Sequence, residues 1–96
     1  MATYMIFIRE GEVHDPEEMA LYQSANRENM DKFQLQPLVV YGSMEILEGK
    51  EADGVVVLQF ADADAARAWY YSPEYQAASE HRKLAADYRV IMVEGL

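Results

Sequence analysis

The sequence contains no cysteine, few basic residues and no long apolar run. The lack of cysteine excludes disulfides, thiolate zinc sites, iron–sulfur clusters and cysteine nucleophiles. Lysine and arginine total 8 against 17 acidic residues, which gives a formal net charge of -9. Because an acidic surface repels phosphate, we expect no nucleic-acid partner. No apolar run approaches the ~18 residues of a membrane span, so we expect no membrane partner.

The amino-terminal residues show no targeting signal. They lack a basic region, and the short apolar run that begins the chain meets Arg9. A secretory signal peptide has both a basic region and a longer apolar segment. With no disulfides to form, we expect a cytoplasmic location.

The composition is that of a packed globule. Of the 96 residues, 51% are hydrophobic and 11% aromatic, which excludes a disordered tail. Two separate cores would each be too small to fold unaided, so we expect a single domain over residues 1–96.

Apolar runs and helix caps predict an α+β fold. Strands are expected at 3–9, from 38 to about 47 or 48, at 55–60 and at 88–93. Asp15, Pro16 and Glu18 form a helix start, and the first helix is expected to end near Phe33. Ser72 and Pro73 interrupt a second helical region that runs from 63 to about 87. The order β-α-β-β-α-β, with a four-stranded antiparallel sheet, is the ferredoxin-like split βαβ pattern.

The strands are apolar on both faces, which predicts a homodimer. An antiparallel sheet with one wet face should alternate apolar and polar residues. In the third strand, however, Val55 and Val57 lie on one face and Val56, Leu58 and Phe60 lie on the other. One chain has helices for only one face, so a second copy is the expected cover for the other. A monomer that tolerates some apolar surface is the alternative.

Several segments resemble a known bacterial family. The most specific is Ala68-Trp69-Tyr70-Tyr71-Ser72-Pro73-Glu74-Tyr75 followed by Arg82, and others are Asp15-Pro16 and Val93-Glu94-Gly95. Over nearly the whole chain the sequence resembles the domain of unknown function 1330 family, but Gln34-Leu35 replaces an expected Gly-Gly turn. The resemblance implies a ferredoxin-like dimeric α/β barrel with no established reaction.

Two polar residues on inward helix faces mark a candidate binding site. Arg82 falls in the middle of a stripe of small and aromatic residues, and Asn26 falls at the centre of the inward face of the first helix. We hypothesise that Arg82 and Asn26, with Tyr22 and Tyr70, line a pocket for a small carboxylate or similar anion. In the alternative, Arg82 pairs with Glu45 or another acid, and Asn26 bonds the backbone.

Catalytic candidates are His81, which flanks this pocket, and Glu45, which interrupts an apolar strand. Simple surface exposure is the alternative for both. No metal-ligand spacing and no phosphate-binding glycine loop is present, so neither a metal nor a cofactor is expected. The aromatic cluster around Trp69 and Tyr70 indicates either core packing or a platform for an aromatic ligand.

Three functional hypotheses follow. The first is a homodimeric small-molecule-binding protein that acts without a cofactor on a small organic acid, if it is an enzyme. The second is a non-catalytic metabolite sensor or stress module. The third is a structural interaction domain, which a closed Arg–Glu pair and a filled cavity would favour.

Overall fold

A computed structural model describes residues 1–96, except for the side chain of Asp31. The elements in chain order are β1 (Thr3–Glu10), α1 (Pro16–Met30), a 3₁₀ turn (Asp31–Phe33), β2 (Gln36–Val40), β3 (Gly54–Phe60), α2 (Ala63–Tyr70), α3 (Pro73–Ala85) and β4 (Asp87–Glu94). The four strands form one antiparallel sheet in the order β2-β3-β1-β4. The predicted ferredoxin-like arrangement is therefore confirmed.

The helices begin at the residues that the sequence indicates. The carboxylate of Asp15 accepts hydrogen bonds from the backbone N–H groups of Glu17 and Glu18, at 3.1 and 3.2 Å. The hydroxyl of Ser72 accepts one from the backbone N–H of Tyr75 at 3.1 Å, and Pro73 fills the first turn of α3. These caps satisfy N–H groups that have no partner inside a helix, and so they fix where each helix begins.

The core lies between the helices and one face of the sheet. Trp69 of α2 is fully buried at its centre. Its ring centroid lies 4.0 Å from that of Tyr75, 5.5 Å from that of Phe60 and 6.2 Å from that of Phe7. We call this side of the sheet the covered face. The predicted core-packing interpretation of the Trp69 cluster is consistent with this burial.

The opposite side of the sheet, here called the open face, has no helix over it. One row across it consists of Ile6 at the centre, with Val57 beside it on β3 and Ile91 beside it on β4. Ile91 and Val93 are 42% and 45% exposed. The molecule accordingly measures 31 × 31 × 17 Å, one helix layer on one sheet. None of its described helices combines the length and apolar composition needed to span a membrane.

The predicted continuation of the second strand to Leu47 or Glu48 was wrong. β2 ends at Val40, and residues 41–53, here called the arm, contain neither helix nor strand. The physical reason lies at Tyr41, whose φ of 53° is left-handed and turns the chain out of the extended path. The arm exposes large apolar side chains, with Leu47 at 81% exposure.

Candidate functional site

A cavity of about 320 Å³ lies between α1 and the covered face of the sheet. Its helical wall consists of Tyr22, Gln23, Asn26, Arg27 and Met30. Its sheet wall consists of Phe7, Val40, Tyr41, Val56, Leu58 and Tyr88. The spacing of the helical residues follows from the α-helical repeat, which places residues three and four apart on one face. The volume is at the small end of the range for ligand pockets.

Arg82 of α3 lies behind the wall of this cavity. Its side chain is buried, with 4% of the residue exposed. The guanidinium carbon lies 5.3 Å from the ring centroid of Tyr88, 5.8 Å from that of Phe7 and 6.0 Å from that of Tyr22. Three rings that line the cavity therefore hold the cation between them, through cation–π contacts.

No carboxylate among the described side chains forms an ion pair with Arg82. Its Nε is also buried without a hydrogen-bond partner in the described structure. The predicted alternative, a pair with Glu45, is not among these contacts, because Glu45 lies exposed in the arm. A buried cation normally has an anionic partner, because moving a charge out of water costs several kcal/mol. Removing the partner of a buried ion pair costs on the order of 3–5 kcal/mol.

Asn26 lies one turn after Tyr22 on α1 and faces the cavity. Its side-chain oxygen is buried, and no described group donates a hydrogen bond to it. The alternative prediction was that Asn26 bonds the backbone, but no described backbone N–H donates a hydrogen bond to this oxygen. A buried acceptor without a donor costs roughly 1–3 kcal/mol, which makes this atom a second unsatisfied polar group beside the cavity.

Two pairs of tyrosines supply hydroxyl groups to the same region. The hydroxyls of Tyr22 and Tyr75 lie 3.0 Å apart, and those of Tyr41 and Tyr88 lie 2.5 Å apart. Burial raises the pKa of Tyr22 well above its usual range and raises the pKa of Tyr75 as well. Burial, together with the Tyr88 hydroxyl, raises the pKa of Tyr41. The phenols of Tyr22, Tyr41 and Tyr75 therefore stay protonated at neutral pH and can act as hydrogen-bond donors.

Sequence reasoning missed Tyr41 and Tyr88. In a regular strand, Tyr41 and Val40 would point to opposite faces of the sheet. The left-handed φ of Tyr41 instead brings both residues into the cavity wall. The Tyr41 ring lies over Gly54, where an added Cβ would be only 2.8 Å from Tyr41 Cδ1. It thereby reaches from the start of the arm to Tyr88 on β4, a contact between residues 47 positions apart that no local pattern indicates.

Tyr70 lies away from the cavity. Its ring packs against Trp69 and Tyr75, with centroids 6.4 and 5.4 Å distant. It lines an open surface depression together with Arg82, Asp87 and Tyr88. Of the four predicted binding residues, the structure places Tyr22 and Asn26 in the cavity wall, Arg82 behind it and Tyr70 outside it.

The two predicted catalytic residues lie outside the cavity wall as well. His81 of α3 is bonded to Glu18 of α1, with Nδ1 2.5 Å from Oε2. Glu45 lies exposed in the arm. Among the described side chains, no group of three histidines and carboxylates could hold a metal ion.

The cavity differs in charge from the rest of the surface. The whole chain has a formal net charge of -9, yet none of the described lining residues is a carboxylate. Arg27 lines the cavity, and Arg82 lies behind its rings. The charged side chains in the described wall and behind its rings are therefore cations, in contrast to the net charge of the whole chain.

Solved structures show the same fold at low sequence identity. A protein of unknown function from Rhodopseudomonas palustris is 19% identical with a TM-score of 0.77, covering 99% of this chain and 82% of that one. A dimeric ferredoxin-like protein of unknown function from Jannaschia sp. CCS1 is 16% identical with a TM-score of 0.69, covering 99% and 100%. A dimeric ferredoxin-like protein from Bacteroides fragilis is 13% identical with a TM-score of 0.59, covering 98% and 96%.

No curated protein matches the sequence. The family model described as "Domain of unknown function (DUF1330)" matches residues 2–96. This match spans nearly the whole chain and agrees with the resemblance carried by the Trp69–Arg82 region. The chain therefore belongs to the domain of unknown function 1330 family.

Proposed function

We propose that this protein is a homodimer that binds a small organic anion in the cavity between α1 and the sheet. The observation that carries the proposal is the buried guanidinium of Arg82, which has no carboxylate partner among the described side chains. The three rings around the cation lower its free energy only in part, because a cation–π contact contributes about 0.5–2 kcal/mol. A bound anion would supply the missing charge.

The walls of the cavity fit a molecule that is part polar and part apolar. Tyr22, Tyr41 and Tyr88 provide hydroxyl groups, while Phe7 and Leu58 provide hydrocarbon surface. Pockets for small molecules combine an apolar lining with a few polar groups that orient the ligand. A carboxylate on a compact hydrocarbon or aromatic skeleton matches this combination.

The absence of an Arg–Glu pair in the described contacts argues against a purely structural interaction domain. Binding is also better supported than turnover, because neither His81 nor Glu45 lies in the cavity wall. We therefore propose a binding protein, such as a metabolite sensor, in preference to an enzyme.

Thermal unfolding with added phenylacetate or benzoate tests the anion site. We expect the wild-type midpoint to rise with ligand concentration, since a ligand that binds only the folded state stabilises it, by about 2.7 kcal/mol at 100 times Kd. Arg82→Met removes the charge but keeps a long side chain, and should abolish the rise. Lys83→Met removes an exposed neighbouring charge and should leave it unchanged.

Circular dichroism verifies that the Arg82→Met variant is folded. The proposal is wrong if the wild-type midpoint does not respond to any of these anions, or if Arg82→Met responds as the wild type does.

The homodimer is supported by the open face. Its central row of Ile6, Val57 and Ile91 is apolar, and none of the described helices lies over it. The Jannaschia and Bacteroides fragilis proteins that share this fold are described as dimeric. Burial of even ~800 Å² per subunit at ~25 cal/mol per Å² is a large gross gain for a chain of 96 residues.

A further inference from the structure

The two tyrosine pairs beside the cavity have more hydroxyl protons than their mutual hydrogen bonds use. Each phenol has one proton, and a hydroxyl pair needs only one proton for its mutual bond. In the Tyr22–Tyr75 pair and in the Tyr41–Tyr88 pair, one proton therefore remains free for another acceptor. Because burial raises the pKa of Tyr22 and Tyr41, these protons are retained at neutral pH. A carboxylate can accept both free protons, since it has two oxygens with several lone pairs.

The side-chain oxygen of Asn26 has the opposite requirement. It is buried, it accepts no described hydrogen bond, and it can never donate one. A carboxylate cannot satisfy it, because an ionised carboxylate has no proton, and two facing oxygens would repel each other. The atom that satisfies Asn26 must carry an O–H or N–H group.

The position of this acceptor relates it to the anion site. Asn26 and Tyr22 are four residues apart on α1, so their side chains are neighbours on one helix face. Both residues line the cavity. Because Oδ1 itself is buried in the wall, a compact ligand that contacts the free phenolic proton reaches the amide oxygen when the Asn26 side chain rotates toward the cavity.

We propose that the ligand is a hydroxy acid, whose carboxylate binds the phenols in the field of Arg82 and whose hydroxyl donates to Asn26 Oδ1. This inference rests on the proposed function and specifies its ligand class. The hydrocarbon surfaces of Met30, Val56 and Leu58 contact the skeleton between the two polar groups. A simple carboxylic acid of the same shape binds more weakly, because it leaves the amide oxygen unsatisfied.

Matched ligands test the hydroxyl. We would measure Kd by isothermal titration calorimetry for phenylacetate, mandelate and 2-methoxy-2-phenylacetate, and for benzoate with its 3-hydroxy and 3-methoxy derivatives. The methoxy compounds retain the oxygen but cannot donate a hydrogen bond. In at least one series we expect the hydroxy acid to bind about three- to tenfold more tightly than both other members, as one hydrogen bond predicts.

The variant Asn26→Leu assigns this preference to one atom. It replaces the amide with an apolar group of similar volume, so the hydroxy acid should lose its advantage while the parent acid still binds. Asn29→Leu changes another amide of α1 that does not line the cavity and should keep the advantage.

The outcomes separate this inference from the proposed function. If phenylacetate and benzoate bind in a manner that depends on Arg82, and the hydroxyl gives no advantage in either series, the hydroxy-acid inference is wrong and anion binding stands. An advantage shared by the methoxy compounds, or one that persists in Asn26→Leu, also overturns it. If no compound of either series binds the wild type, both proposals fail. The ligand comparison in the wild type decides the matter even if Asn26→Leu does not fold.

Discussion

The two faces of the sheet are similar in composition and opposite in environment. On the covered face, Phe7 and Leu58 are 3% and 4% exposed. On the open face, Ile91 and Val93 in the same sheet are 42% and 45% exposed. Apolar composition alone therefore does not decide burial, and the location of the helices does. The covered face contains the cavity, whereas the open face is available to a second copy.

The largest effect is expected from removing the centre of the covered face. Trp69→Ala deletes a fully buried side chain that contacts four other aromatic rings. It should lower the free energy of unfolding in urea by about 3–5 kcal/mol, through lost burial and the cavity left behind. Tyr71→Ala, at a neighbouring ring that is 70% exposed, should cost less than about 0.5 kcal/mol. A Trp69→Ala cost similar to that of Tyr71→Ala would contradict this description of the core.

The next effect concerns the open face. Ile6→Asp places a charge at its centre, and a two-fold dimer would bury that charge twice. We expect self-association to weaken about 100-fold or more, because each carboxylate loses hydration without gaining a partner. Light scattering across a dilution series measures this. Leu21→Asp, at an exposed apolar residue of α1, should leave association unchanged. Equal masses for Ile6→Asp and wild type at all concentrations would show that the open face is not the interface.

The smallest effect concerns the polar end of the open face. Glu10 is bonded to Lys50 of the arm, and its Oε1 lies 2.9 Å from Nε of Arg89. The hydrogen bond from Lys50, with the charges of Lys50 and Arg89, holds the pKa of Glu10 below its usual value. A carboxyl with a lowered folded-state pKa stabilises the fold above its unfolded pKa, and this stabilisation disappears as pH falls through the folded pKa.

Glu10→Gln should therefore lower the thermal midpoint slightly at neutral pH and have no effect in strong acid. Melting curves between pH 7 and pH 2 measure the difference. Glu12→Gln, at an exposed residue outside the described ion pairs, should show no such pH dependence. A Glu10→Gln difference that is constant with pH would contradict the ion-pair explanation.

Local signals in the sequence were sufficient for most of the fold. Asp15, Ser72 and Pro73 correctly located helix starts, because capping depends on neighbouring residues only. The end of β2 was not predictable in this way. Apolar and polar residues of the arm alternate much as they do in a strand. Only the backbone conformation of Tyr41 shows that the strand has ended.

The site was predictable to the extent that helix geometry determines it. The 3.6-residue repeat correctly places Tyr22 and Arg82 at buried positions and brings Asn26 to the cavity. Tyr41 and Tyr88 were not predicted, because their contact depends on strand order and on one left-handed residue. Contacts of this kind are properties of the assembled sheet rather than of any segment.

The missing side chain at Gly54 has a consequence for how variation in this protein should be interpreted. Gly54 is not among the residues that line the cavity, and it would ordinarily be regarded as a neutral strand position. Yet any larger residue there would collide with the ring of Tyr41, which has little freedom because its hydroxyl is bonded to Tyr88. Inherited or engineered changes at this glycine would therefore alter the shape of the cavity, although they occur at a residue outside its wall.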